Sequence, residues 1–145
     1  MNGWMGNLLR VNLTTKTSSI ESSEKYFKYI GGKGMANRIM YDEVPVGTDP
    51  AAPENKIVFA VGPNTGSSAP CSGRITISSL SPFTKYNAIV DAHMGGDTAV
   101  RMKNCGFDAM IIEGASDAPV YIYVNDDKIE IRDASHVWGL SLIHI

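Results

Sequence analysis

Ile57-Val58-Phe59-Ala60-Val61 is an unbroken apolar run. A strand that is apolar on both faces must be covered on both, so the chain needs a sheet with a packed layer on each side. The run ends in Gly62-Pro63-Asn64-Thr65-Gly66-Ser67-Ser68-Ala69-Pro70-Cys71-Ser72-Gly73, twelve small, polar or proline residues, followed by Arg74. Such a stretch supports no regular element, so an interior strand opens directly onto an irregular loop.

Further strands are expected over Asn7–Leu13, Ser18–Glu21, Ile75–Ser79, Ala88–Ala92, Ala109–Ile112, Val120–Val124 and Lys128–Ile131, the last two forming a hairpin closed by Asn125-Asp126-Asp127. Short helices are expected over Glu24–Ile30, capped by Ser22 or Ser23 and stopped by Gly31-Gly32, over Ala36–Tyr41, and from Gly95-Gly96 to Cys105. Three prolines and a glycine make 42–55 a loop. Strands outnumber helices without regular alternation, which predicts an α+β fold with a mixed sheet rather than a doubly wound one.

The 145 residues, 43% hydrophobic and 19% charged, make one globular domain. Thirteen Lys and Arg against fifteen Asp and Glu leave a net charge of −2, with no basic block, which argues against a nucleic-acid partner. Apolar runs fall far short of the roughly 20 residues that span a bilayer, so no membrane partner is expected. The start, Met1-Asn2-Gly3-Trp4-Met5-Gly6, has neither the basic nor the apolar part of a signal peptide, so a cytoplasmic setting is expected. Cys71 and Cys105 lie too far apart for a C-x-x-C pair and are read as buried or half-buried thiols.

Chemistry concentrates in three glycine-rich turns. In 62–74, exposed backbone N–H groups and the Arg74 fork suit a phosphate or carboxylate, although Gly-Lys-Ser/Thr is absent and the loop is no Walker motif. In Asp91-Ala92-His93-Met94-Gly95-Gly96 a strand end meets a helix N-terminus, another anion site, and period 2 puts Asp91 and His93 on one face. Asp97 complements the helix dipole there. In Gly31-Gly32-Lys33-Gly34, a turn between helices, Lys33 is available for negative charge. The plain alternatives are a surface loop with a solvated arginine, a capped helix beside a half-exposed histidine, and an interhelical turn. His136 and Trp138 are read as packing and turn residues. Three such turns, without a nucleophile–base pair, describe a cradle for an anion rather than a reaction.

Asn2-Gly3-Trp4, Leu9-Arg10-Val11-Asn12-Leu13-Thr14-Thr15, Gly31-Gly32-Lys33-Gly34, Pro53-Glu54-Asn55-Lys56, Gly62-Pro63-Asn64-Thr65-Gly66, Ser68-Ala69-Pro70, Gly106-Phe107-Asp108-Ala109, Ile111-Ile112-Glu113-Gly114, Pro119-Val120-Tyr121-Ile122 and Asp133-Ala134-Ser135-His136-Val137-Trp138-Gly139 follow one another in order over 1–139. Together they resemble the N-terminal domain of the tungsten- or molybdenum-dependent aldehyde ferredoxin oxidoreductases. The resemblance implies the first part of an internally duplicated α+β domain that forms the base for a bis-pterin cofactor of tungsten or molybdenum.

It implies cofactor-binding roles for Arg74, on the pterin, and for His93, Gly95 and Gly96, beside its phosphates, with no catalytic residue in this chain. It also implies that the main-chain carbonyl of His93 holds a magnesium ion bridging the phosphates. The family carries Asn at that position, a change that a backbone ligand tolerates. The implied reaction is oxidation of aldehydes to carboxylic acids, with electrons leaving through a [4Fe-4S] cluster to ferredoxin or another iron–sulfur protein, in a possible homo-oligomer. Cluster cysteines and substrate pocket belong to a later part of such enzymes, so this chain alone is expected to be inactive. Residues 140–145 leave the family pattern and read as the translation of a sequencing-library adaptor, which leaves His144 without a role. Two rivals are a stand-alone binding module for a phosphorylated small ligand and a purely structural domain.

Overall fold

The apolar run takes an interior position in a mixed sheet. In the computed structural model, which describes residues 3–141 and 143, six strands pair in the order β2-β1-β6-β3-β4-β5. They are β1 (Asn7–Asn12), β2 (Thr17–Ser22), β3 (Lys56–Val61), β4 (Ile75–Leu80), β5 (Ile89–Met94) and β6 (Ala109–Glu113). β1 and β6 run parallel and every other neighbouring pair is antiparallel. A separate hairpin joins β7 (Val120–Asn125) to β8 (Lys128–Asp133), turning through Asp126 at φ +54°. The α+β class and all the expected strands are present.

Alternation along the strands divides the core between two faces. Helix α1 (Gly32–Glu43) lays Met35, Ala36, Ile39 and Met40 against Leu8, Val58, Ala60, Ala109 and Ile111. On the opposite face Leu9, Val11 and Phe107 meet the inner side of the β7–β8 hairpin, including Ile122 and Ile131. Beside them Val61 and Ile75 meet Ala99 of helix α2 (Asp97–Asn104). Each large side chain buried this way contributes about 1.5–3 kcal/mol.

Three local features differ from the sequence expectation. Glu24–Tyr29 is a 3-10 helix, closed by Ile30 at φ +60°. The Ser23 hydroxyl does not cap it but donates to Asp108 (2.8 Å), while Ser22 Oγ accepts from the Glu24 N–H (3.3 Å). Helix α1 begins at Gly32 rather than Ala36, so Lys33 and Gly34 lie in its first turn instead of in a connecting turn. Gly31 makes this possible. At φ +69° it passes so close to β3 that a Cβ would lie 2.4 Å from the Val61 carbonyl and 2.8 Å from Gly62 Cα.

At the sheet end away from the glycine-rich turns, five charges satisfy one another. Arg10 contacts Glu21 (2.5 Å), Glu43 (2.9 Å) and Glu113 (3.1 Å), and Lys56 also pairs with Glu113. Arg10 holds the Glu21 carboxyl below the usual carboxylate range. Burial pushes the Glu113 carboxyl upward, but hydrogen bonding and attraction from Lys56, with Arg10 behind, prevail and lower it.

A carboxyl depressed in the folded state adds stability that is complete above its unfolded value, 4.5 for Glu, and disappears as the pH falls through the lower folded value. Glu113→Gln is therefore expected to flatten the acid limb of stability below pH 4.5 in denaturant titrations repeated across pH. Gly31→Ala should cost about 3 kcal/mol, from a strained φ and the backbone clash, by chemical denaturation. Gly95→Ala should change stability by less than about 1 kcal/mol, because nothing lies within 4 Å of its Cβ position.

Candidate functional site

The three glycine-rich turns, far apart in sequence, meet at one end of the sheet. Gly31 abuts Val61 and Gly62, where 62–74 leaves β3. A Cβ on Gly73, at the far end of that loop, would lie 3.1 Å from the Gly96 carbonyl, so the loop returns against the β5–α2 turn. Lys33, in the first turn of α1, pairs with Asp91 of β5 at 2.7 Å. Both helices start with a glycine N-cap, Gly31 for α1 and Gly96 for α2, and neither has a side-chain cap. Two sets of first-turn N–H groups therefore lack the usual capping acceptor.

The β4–β5 ladder sets the orientation of His93. The Ser81 N–H donates to the Ala88 carbonyl directly opposite (3.0 Å), which fixes the phase of the register. Bonded pairs then fall at Ile77–Ala92 and Ile75–Met94, and close non-bonded pairs at Thr76–His93 and Ser78–Asp91. Because β5 is an edge strand, the backbone N–H and C=O of His93 point outward to the open edge. Its side chain lies beside Thr76, whose hydroxyl is 3.1 Å from Nδ1, and Nε2 is 2.9 Å from Asp91.

A carboxylate only accepts, so the Nε2–H donates to Asp91; in the neutral imidazole Nδ1 then accepts from the Thr76 hydroxyl. Lys33 and then His93 hold the Asp91 carboxyl below its usual range. The pairing of Asp91 with His93 expected from period 2 is present, with Lys33 and Thr76 as added members.

Arg74 and Gly95 flank the Ile75–Met94 pair, at the end of the β4–β5 ladder. Arg74 is exposed and has no ion-pair partner among the described residues. Gly95 and Gly96 are exposed as well, and Asp97 reaches Arg101 only at 3.9 Å. An unpaired guanidinium, an outward carbonyl and the N–H groups of a helix start thus lie at one end of the β4–β5 ladder. Such a set has donors suited to an anion and a carbonyl oxygen of the kind that hard cations take.

Two other readings change. Cys71 is exposed, at φ +59° on the loop, because 62–74 runs over the surface; Cys105 is half-buried as expected. Trp138 lies in the expected turn but is 70% exposed and does not pack into the core. Among the described residues no group of three His, Cys, Asp or Glu is arranged to hold a metal ion. Residues 142, 144 and 145 of the expected tail, His144 included, lie outside the described residues.

Sequence reasoning missed the buried pair beneath the turns, Lys103 and Asp108, at 2.9 Å. The available signal was an acid between Phe107 and Ala109, where an apolar strand begins.

Residues 8–145 match the family model of the aldehyde ferredoxin oxidoreductase N-terminal domain. The chain is 45% identical over 141 residues to a tungsten-containing aldehyde ferredoxin oxidoreductase of Pyrococcus horikoshii, covering 96% of this chain and 23% of that protein. The same figures hold for the tungsten-containing enzyme of Pyrococcus abyssi. Among solved structures, the active site complex BamBC of benzoyl coenzyme A reductase with 1,5-dienoyl-CoA matches with a TM-score of 0.89 and 36% identity. That match covers 93% of this chain and 21% of the other. The chain thus spans about a quarter of the length of these relatives.

The geometry predicts that neutral His93 carries its proton on Nε2, readable from imidazole nitrogen chemical shifts. Asp91→Asn should remove that preference while leaving the shifts of His136 unchanged.

Proposed function

Because the chain belongs to the aldehyde ferredoxin oxidoreductase N-terminal domain family, we propose that it is the part of a tungsten-dependent aldehyde oxidoreductase that seats the anionic end of a metal–pterin cofactor. The observation that carries this reading is the outward His93 carbonyl at the ladder end where unpaired Arg74 and the Gly95-Gly96 helix start also lie. Arg74 would offer a bidentate fork to the pterin, and the N–H groups at the start of α2 would be donors for its phosphates. The His93 carbonyl would serve as an oxygen ligand for a magnesium ion accompanying the cofactor. Glycine at 95 and 96 lets the cofactor approach the main chain.

When bound, the tungsten cofactor supplies the two-electron oxidation of an aldehyde to a carboxylic acid. The proposal extends to a [4Fe-4S] cluster whose ligands would lie outside this chain, a ferredoxin-type acceptor, a homo-oligomeric assembly and a cytoplasmic setting. Relatives named for an aldehyde and for benzoyl coenzyme A share this domain. That supports a cofactor role for it, with substrate choice made elsewhere. We assign the cradle to residues 1–139 and no role to 140–145. No described helix is long and apolar enough to cross a membrane. The comparisons do not support a stand-alone phosphate-binding module.

The test is tungsten content per polypeptide in the full-length enzyme. Arg74→Ala and Gly95→Val should each lower cofactor affinity about tenfold or more, with little change in Tm, because neither residue supports the fold. Unchanged tungsten content in both variants overturns the reading. The purified 145-residue chain should show no aldehyde-dependent dye reduction; measurable activity would contradict the division of labour.

A further inference from the structure

We infer that Lys103 is a positioning residue for this cradle: its buried ammonium, balanced by Asp108, fixes the root of the loop that carries Arg74. The inference rests on the reading above, in which that loop seats the cofactor. The Lys103 side chain is 7% exposed and that of Asp108 is 0% exposed. The ammonium donates to Asp108 Oδ1 at 2.9 Å and to the Gly62 carbonyl at 3.2 Å, and it lies 5.5 Å from the centre of the Trp4 ring. Its donors are thus directed at a carboxylate, a carbonyl and a π face.

Gly62 is where β3 ends and the loop begins. Its carbonyl also accepts from the Thr65 N–H (3.1 Å), and its own N–H donates to Thr65 Oγ1 (3.2 Å), which closes a tight first turn. Asp108 meanwhile accepts from the Met5 N–H (3.0 Å), the Gly6 N–H (2.8 Å) and the Ser23 hydroxyl (2.8 Å). Those bonds hold down Trp4, which touches the Gly31 position and stacks on Phe27 with ring centres 4.3 Å apart. Lys103 itself sits on α2, whose first turn is the third part of the site. One ammonium therefore links the α2 helix, the loop root and the support beneath Gly31.

Burying such a pair yields little net stability, because desolvation offsets the attraction. Its consequence is geometric. An apolar side chain at 103 would still fill the space but would leave the Gly62 carbonyl without its lysine donor, and the loop free to shift against α2.

The test uses the full-length enzyme carrying Lys103→Met with Asp108→Asn. This double variant removes both charges and leaves an amide oxygen for the Met5 and Gly6 N–H groups. Hydrogen exchange should quicken about tenfold in the peptide 62–74, remain unchanged in β1 and β6, and be accompanied by a fall in tungsten content. Ile111→Val, a core change of ordinary cost, should move neither loop exchange nor tungsten.

Unchanged exchange in 62–74 overturns the inference, whatever happens to tungsten. Faster exchange with full tungsten content overturns instead the reading of the loop as a cradle. If the double variant does not fold, Lys103→Gln with Asp108→Asn, which keeps polar groups facing each other, carries the same test with the same outcomes.

Discussion

A carboxylate without exposed surface is tolerable only when its oxygens are supplied with donors. Asp108 draws them from distant stretches of chain: the Met5 and Gly6 N–H groups, the Ser23 hydroxyl and the Lys103 ammonium. In doing so it joins the N-terminal segment, the start of the 3-10 helix, the last turn of α2 and the start of β6. The glycine-rich turns rest on this junction. Trp4 is held beneath Gly31, and the lysine reaches past its partner to the Gly62 carbonyl.

The two ends of the sheet are treated in opposite ways. At one end Arg10, Lys56, Glu21, Glu43 and Glu113 pair among themselves, and Asn12 adds a hydrogen bond to Glu113 at 3.2 Å. That end is internally satisfied and has little to offer a ligand. At the other end the helices begin at glycines without side-chain caps, the edge strand turns its backbone outward at His93, and Arg74 lacks an ion partner among the described residues. Unspent hydrogen-bonding capacity gathered on one surface is what a cofactor site needs. The apolar layers on both faces of the sheet hold that surface rigid.

In the role proposed for His93, a change of side chain leaves the backbone contribution intact. Its half-exposed imidazole sits between Asp91 and Thr76, on the face of the sheet that α1 covers. The carbonyl is oriented by the ladder phase, which depends on strand pairing and not on the residue's identity. Lys33 completes the arrangement by tying the first turn of α1 to the same strand.

Strand positions, the α+β class and the three glycine-rich turns were legible in the amino-acid sequence because they depend on local chemistry. Apolar runs and alternation marked all eight strands, β2 included, and glycine marked where regular structure stops. The roles proposed for Arg74, His93, Gly95 and Gly96 come from the family resemblance, not from any spacing. Tertiary structure alone decided that α1 begins at Gly32, since that start requires Gly31 to pass against Val61. It also turned Ser23 from a helix cap into a donor to Asp108 and set Cys71 on the surface. The convergence of the turns, the phase that points the His93 carbonyl outward and the Lys103–Asp108 pair were equally illegible. Each is a contact between segments tens of residues apart, and such contacts are determined by sheet order and register rather than by any local pattern.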